Sequence, residues 1–190
     1  AGYERELGIG TLLQATFRRR VVVIGAGPAG MKAAETAARQ GHEVILIERR
    51  IRTGGQLRIA EKIKGRKEIG GVIDHLDVMI AKHGVDVRLG WAPTAEEVLL
   101  IKPGHIIVAT GSAPGPDIVG NLAQGIHFTP GLDQDHVLTV WDVLEDEQPV
   151  GHHVVIIDDG EGGWKGIGLA LQLQSEGHHV EMITPLPYVG

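Results

Sequence analysis

The sequence predicts an α/β fold built from βαβ units on a parallel sheet. Three observations carry that prediction. Short runs of consecutive apolar residues each lead into a glycine-rich turn. A helix-like segment rich in small or apolar residues follows each such turn. The whole pattern then occurs a second time within the 190 residues. Strands that are apolar without alternation belong in a parallel sheet, covered on both faces.

Residues 21–24, VVVI, are the first such strand. Gly25, Gly27 and Gly30 follow as GxGxxG. The alanine-rich MKAAETAARQ is the first helix, stopped by Gly41, a residue suited to the C′ position. HEVILIE is the second strand and ends on Glu48. Strand, glycine turn, helix, strand and acid make one βαβ unit. After TGGQLRIA, the apolar residues Ile69, Val72, Ile73, Leu76, Met79 and Ile80 recur at threes and fours and predict a helix. Met79 is read there as core and His75 as surface. Residues 85–89, VDVRL, form a short strand, and Thr94 with Glu97 has the spacing of a capping box ahead of a helix. HIIVATG, from His105 to Gly111, is a further buried strand entering a glycine turn. Residues 114–131 read as loop, TVWDVLED as a short helix and residues 149–151 as a linker.

The pattern then returns. VVVI at Val21 is echoed by VVII at Val154, and GHEVILI at Gly41 by GHHVEMI at Gly177. The offsets are 133 (Val21 to Val154) and 136 (Gly41 to Gly177), so the second copy holds three more residues in between. The expected organisation is a linker or arm at residues 1–20 and an incomplete Rossmann-like nucleotide-binding domain at 21–149. The first βαβ of a second such domain, truncated, follows at 150–190. One or two strands cannot bury both sheet faces, so the chain is expected to be a fragment of something longer.

Composition narrows the function. A net charge of −6 argues against nucleic acid as partner. The basic run at residues 58–67 lacks interleaved aromatics and reads as a solvated loop. Absence of cysteine excludes disulfides, thiolate metal sites, iron–sulfur ligation and a redox CxxC within these residues. The opening AGYERELGIG lacks the basic-then-apolar order of a secretory leader. No apolar run approaches the ~20 residues of a membrane span, so a cytoplasmic location without membrane contact is expected. His152, His153, Asp158, Asp159 and Glu161 do not converge at ligand spacing, and the two histidine pairs (152–153 and 178–179) are expected at exposed strand starts. No metal site is expected.

The first glycine turn stands in the context that a dinucleotide site requires: after a strand, before a helix, and about 18 residues ahead of an acid at a strand end. Gly25 permits the tight turn, Gly27 lets backbone approach a diphosphate, and Gly30 lets helix pack on strand. Ala26, Pro28 and Ala29 complete the loop at a helix N-terminus, where free N–H groups favour phosphate. Glu48 can accept from ribose hydroxyls and would repel a 2′-phosphate. That favours FAD, NAD or ADP over NADP, though Arg49 and Arg50 stand beside it.

GAGPAG, then Gly54-Gly55-Gln56-Leu57, then Ala109-Thr110-Gly111, in this order and spacing, resemble the flavoprotein pyridine-nucleotide oxidoreductases. In those proteins GGxL backbone touches the flavin side of the dinucleotide and ATG closes over the pyrophosphate. Taken with YERELG, RRRVVVIGAGPAGMKAAETAARQGHEVILIERR, TGGQLRIA and GRKEIGGVIDHL, the chain resembles the C-terminal half of the NADH:flavin oxidoreductase family. That family includes trimethylamine dehydrogenase, histamine dehydrogenase and 2,4-dienoyl-CoA reductase. The resemblance implies an upstream barrel with FMN, a [4Fe–4S] centre and the substrate site, none of them in this chain. It also implies FAD or ADP in the first Rossmann unit, at Gly25 to Gly30, Glu48, Arg49, Gly55, Gln56, Leu57 and Ala109 to Gly111. Catalytic residues are expected elsewhere. An N–H that reads adenine in such folds would fall near Pro93, which has none.

The second turn departs from the first. By offset, Asp158 stands at Gly25, Gly160 at Gly27, Gly166 at Gly30 and Thr184 at Glu48. Carboxylates at Asp158, Asp159 and Glu161 would oppose a diphosphate, and Trp164 would crowd it, so NAD(P)H binding is not expected there. By the same resemblance, electrons would then leave as in the amine dehydrogenases, through the cluster to an electron-transfer flavoprotein. Two readings compete with this one. One is an NAD(P)H-dependent FAD/FMN reductase of the dienoyl-CoA type. The other is an ADP-binding structural domain without a redox role.

Overall fold

The structure is a computed structural model that describes residues 12–114, 130–145, 147–158 and 163–187. It divides into two compact units. One takes the chain up to Arg58 together with Ile69–Gly111, and the other takes Ile59–Glu68 together with the chain from Ser112 onward.

The first unit holds β1 (Arg20–Ile24), α1 (Pro28–Arg39), β2 (Glu43–Glu48), α2 (Leu57–Ala60, shared at its end with the second unit), α3 (Gly71–Lys82), β3 (Asp86–Leu89), α4 (Ala95–Leu100) and β4 (His105–Val108). A four-stranded parallel sheet runs in the order β3-β2-β1-β4, with Val22 opposite Ile45 on one side and Ile106 on the other. Alternate strand residues face opposite ways. Val21, Val23, Val44 and Leu46 pack against Met31 and Ala34 of α1 and Ile73, Leu76 and Ile80 of α3. Val22, Ile45 and Ile47 pack against Val98 of α4, with Trp91 and Ile101 beside them. The prediction of strands buried on both faces therefore holds for β1 and β2.

It does not hold for β4. Its Val108 is 72% exposed, because β4 is an edge strand in this sheet and, among the described residues, its sides are only partly covered. An apolar run reports what a strand can bury, not its position in the sheet. The stripe on α3 is narrower than predicted. Ile73, Leu76 and Ile80 are buried, Met79 is half-buried and His75 exposed, but Val72 is 51% exposed. One step of about 100° from Ile73 turns Val72 off the centre of the stripe. The capping box at α4 forms as read: Thr94 Oγ1 accepts from the Glu97 N–H, and the Glu97 carboxylate accepts from the Thr94 N–H. A second box, Thr139 with Asp142, caps α5 (Val140–Leu144).

In the second unit, β5 (His153–Ile157) pairs in parallel with β6 (His179–Ile183), and α6 (Trp164–Ser175) connects them. Ile156, Leu169, Leu173 and Leu144 form its core together with Ile59 and Ile63. Those two isoleucines lie in the basic run that reads as a solvated loop, and the structure corrects that reading. They are 4% and 5% exposed, while Lys62 and Lys64 beside them reach Glu147 and Ser175. His153 and His179 open their strands, exposed and opposite each other in register, as expected.

Candidate dinucleotide site

The first glycine turn is held by backbone and by one buried acid. Gly25 donates its N–H to Ile47 O at 2.7 Å and takes φ +102°, a conformation that glycine alone adopts without strain. A Cβ there would meet Ala109 O at 2.3 Å, so the ATG segment presses directly on the turn. At Gly30 a Cβ would meet Gly25 O at 1.9 Å, which explains the third glycine: α1 starts against the turn with no room for a methyl group.

Gly27 is different. Its φ is an ordinary −71°, and nothing lies within 4 Å of a Cβ built on it. Neither the turn nor the packing requires glycine at this position. The space beside it is open, and it caps a 12-residue helix without any side-chain cap hydrogen bond. Pro28 at N1 has no N–H to satisfy, and those of Ala29 and Gly30 have no intrahelical acceptor. The result is a cradle of backbone donors with the helix dipole behind it, suited to a diphosphate.

The roof of this cradle is the Gly54-Gly55 loop. Gly54 donates to Ala26 O at 2.7 Å, and a Cβ on Gly55 would stand 3.0 Å from Gly27 Cα. Both glycines have positive φ, +109° and +52°. Leu57 then opens α2, and a Cβ on Gly111 would lie 3.8 Å from Gln56 Nε2. GxGxxG, GGQL and ATG, far apart in sequence, thus meet at the first turn, with Gly55 beside Gly27, Ala109 beside Gly25 and Gly30, and Gly111 beside Gln56.

Glu48 is 7% exposed. Its Oε2 accepts from the Ala26 N–H at 2.7 Å and its Oε1 from the Arg50 N–H at 2.9 Å. The acid therefore clamps the turn to the end of β2. A carboxylate has about four lone-pair sites, so each oxygen keeps one for a further donor such as a ribose hydroxyl. Arg49 beside it is exposed. The Gly54-Gly55 pair stood in the motif read from the sequence, whereas the Arg50 amide, which also shapes the site, did not. That amide is a backbone donor that no side-chain pattern marks.

The second turn shares the register and not the chemistry. Asp158 donates its N–H to Ile183 O at 2.8 Å, matching the bond from Gly25 to Ile47, so the sequence offset places the two copies correctly. Gly166 is buried, and a Cβ there would meet Met182 Cε at 3.1 Å, a looser fit than at Gly30. The Asp158 carboxylate does not stand out toward a ligand as the sequence suggested. It is 7% exposed, and its Oδ2 accepts from Thr184 Oγ1 at 2.9 Å. Trp164 opens α6 more than half exposed, with the Arg66 guanidinium carbon 4.1 Å from its ring centroid. Asp159, Gly160 and Glu161 lie outside the described residues. No cluster of histidine and carboxylate able to hold a metal ion occurs among the described residues, and no described helix is long and apolar enough to cross a membrane.

Comparison with known proteins adds the wider context. The family model described as pyridine nucleotide-disulphide oxidoreductase matches residues 19–190. An NADH oxidase of Thermoanaerobacter brockii is 36% identical over 173 residues, covering 91% of this chain and 25% of that protein. An N,N-dimethylglycine/sarcosine dehydrogenase of Chromohalobacter salexigens is 34% identical over 171 residues, covering 88% and 23%. Among solved structures, the 6-hydroxypseudooxynicotine amine oxidase from Pseudomonas geniculata N1 superposes with a TM-score of 0.84 at 28% identity, covering 94% of this chain and 27% of that one. The chain thus spans about a quarter of the length of the relatives it matches.

Proposed function

The chain belongs to the pyridine nucleotide-disulphide oxidoreductase family, with relatives that bear out its resemblance to the NADH:flavin oxidoreductases, and from that membership we propose that it is the nucleotide-binding region of a flavin-dependent amine dehydrogenase or demethylase. The observation that carries the proposal is the open space beside Gly27, at the N-terminus of a 12-residue helix. FAD or ADP is the ligand. The amides of residues 25–30 take its diphosphate, Glu48 its ribose, and Arg49 lies beside the ribose. Gly55, Gln56, Leu57, Ala109, Thr110 and Gly111 line the side on which a flavin would continue.

The amine-dehydrogenase assignment rests on the second unit. Asp158 and Thr184 satisfy each other where a nucleotide-binding copy would carry glycine and a strand-end acid. This unit therefore takes no NAD(P)H. Electrons instead pass to a protein acceptor, an electron-transfer flavoprotein, by way of FMN and a [4Fe–4S] centre held elsewhere. Any such cluster draws its ligands from outside these 190 residues, which contain no cysteine. The relatives named as an N,N-dimethylglycine/sarcosine dehydrogenase and an amine oxidase support the substrate class. The relative named as an NADH oxidase supports the second reading, an NAD(P)H-dependent reductase.

Heat denaturation of the purified chain, with chromatography of what it releases, tests the ligand. ADP without flavin supports the dehydrogenase reading. FAD, together with saturable NADH binding, supports the reductase. No released nucleotide, and no thermal stabilisation by ADP, FAD or NADH, overturns both.

A further inference from the structure

The roof loop over Gly27 is anchored from outside the cradle. Thr53 immediately precedes Gly54, and its Oγ1 donates to Asp77 of α3, 2.8 Å from Oδ1 and 3.1 Å from Oδ2. Arg58 follows at the far end of the loop. Its Nη2 lies 3.2 Å from Asp74 Oδ1 and 3.7 Å from Asp77 Oδ2, and its Nε donates to Thr53 O at 3.4 Å. The Arg58 stem passes over Gly54 so closely that a Cβ there would meet its Cγ at 2.7 Å. Both ends of the TGGQLR segment are therefore tied to one helix, α3, through Asp77.

We infer that Asp77, with Thr53 and Arg58, is a positioning group that sets nucleotide affinity by holding the Gly54-Gly55 loop down on Gly27. The inference rests on the proposed function of that cradle. Gly54 and Gly55 both need positive φ, and a glycine pair left untethered samples many other conformations. Within the first unit the Gly54 N–H also donates to Ala26 O at 2.7 Å, and the Leu57 and Arg58 N–H groups donate to Gly54 O and Gly55 O inside the loop itself. Tethering through α3 removes that freedom before ligand arrives, which is preorganisation of the site. Asp77 is 39% exposed and lies outside the core that Ile73, Leu76 and Ile80 of the same helix form.

The test is calorimetric titration of the full chain with ADP and with AMP, alongside the melting temperature without ligand. Asp77→Ala is expected to weaken ADP about five- to tenfold, the loss of about one hydrogen bond's worth of preorganisation. AMP, which lacks the second phosphate, is expected to change less than twofold. Asp77→Asn keeps an acceptor for Thr53 and restores most of the ADP affinity, which a purely structural role would not predict. Thr53→Val repeats the loss by removing the donor and decides the matter should Asp77→Ala not fold. Wild type that binds ADP, with Asp77→Ala and Thr53→Val binding it equally well, overturns the tether alone. Wild type that binds no nucleotide overturns the proposed function and the tether with it.

Discussion

Gly27→Asp separates the site from the fold. No described atom lies within 4 Å of a Cβ at this position, and its φ of −71° suits any residue, so the substitution meets no steric obstacle. Without ligand it should help. Aspartate is a better N-cap than glycine by a few tenths of a kcal/mol, and an anion at a helix N-terminus adds ~0.3–1 kcal/mol. Restricting the unfolded chain adds ~0.4–1 kcal/mol. Together these raise stability by roughly 1–2 kcal/mol, a melting temperature higher by a few degrees for a chain of this size. With ligand the sign reverses. The wild type in ADP at 100 times its Kd gains about 2.7 kcal/mol. In the variant a carboxylate ~4 Å from a phosphate oxygen costs about 4 kcal/mol at an effective dielectric near 20, a factor of roughly 1000 in affinity. The same ADP concentration then gives almost no stabilisation. Differential scanning fluorimetry of both proteins, with and without ADP, reads all four values. A variant that melts higher than wild type alone and does not respond to ADP is the expected result. A variant that ADP stabilises as much as it does wild type would refute the placement of the diphosphate at Gly27.

Gly30→Ala is the converse: its Cβ would fall 1.9 Å from Gly25 O, so backbone must move, and urea denaturation should show a loss of about 3 kcal/mol. Thr184→Val strips the donor from a carboxylate that is 7% exposed, and should cost the second unit ~1–2 kcal/mol, visible as earlier loss of protection in hydrogen exchange around β5 and β6. Glu35 on α1 is 1% exposed; burial raises its pKa, but the hydrogen bonds and charges of Lys32 and Arg39 outweigh this and hold it below the usual carboxylate range. A carboxyl depressed on folding stabilises above its unfolded pKa, and that stabilisation is lost as pH falls through the lower folded value. Glu35→Gln should therefore destabilise by ~1–2 kcal/mol at pH 7, with the gap to wild type closing below about pH 4.5 in urea titrations.

How much could be read ahead follows from what each feature depends on. The βαβ order, the capping box at Thr94 and the repeat offset are local patterns, and the structure reproduces them. The exposure of β4 depends on neighbours that no window of sequence contains, and that of Val72 on where the centre of the α3 stripe falls. Ile59 and Ile63 were hidden because charge dominates their segment, although a pair of apolar residues four apart is enough to seat it on a core. In the site, Gly25 and Gly30 were legible because steric need leaves a glycine no alternative. The double use of Glu48, as clamp on Ala26 and Arg50 and as possible ribose acceptor, was half legible. Its position at a strand end predicts the acceptor, while the clamp depends on amide directions fixed only in three dimensions.

The two turns show why a glycine pattern and a ligand site are separate facts. Each copy must tie its turn to the end of the neighbouring strand, and both do so with the same backbone bond, Gly25 to Ile47 and Asp158 to Ile183. They differ in where the acid sits. In the first, the acid is at the strand end and accepts from the turn's amide, which leaves the turn itself bare for a ligand. In the second, the acid is in the turn and the strand end supplies a hydroxyl, so the pair is closed within the protein. Both solutions satisfy the buried polar groups, which is all that folding requires. In the first, the Glu48 carboxylate lies at the strand end and outside the turn; in the second, the Asp158 carboxylate lies in the turn and is engaged by Thr184. The exchange also couples the two positions. Asp158→Gly alone removes the acceptor of Thr184 without supplying a ribose acceptor, and Thr184→Glu alone sets two carboxylates against each other in a buried site. Between a binding and a closed turn, each single step passes through a less satisfied state, so a copy that has adopted the closed arrangement tends to keep it.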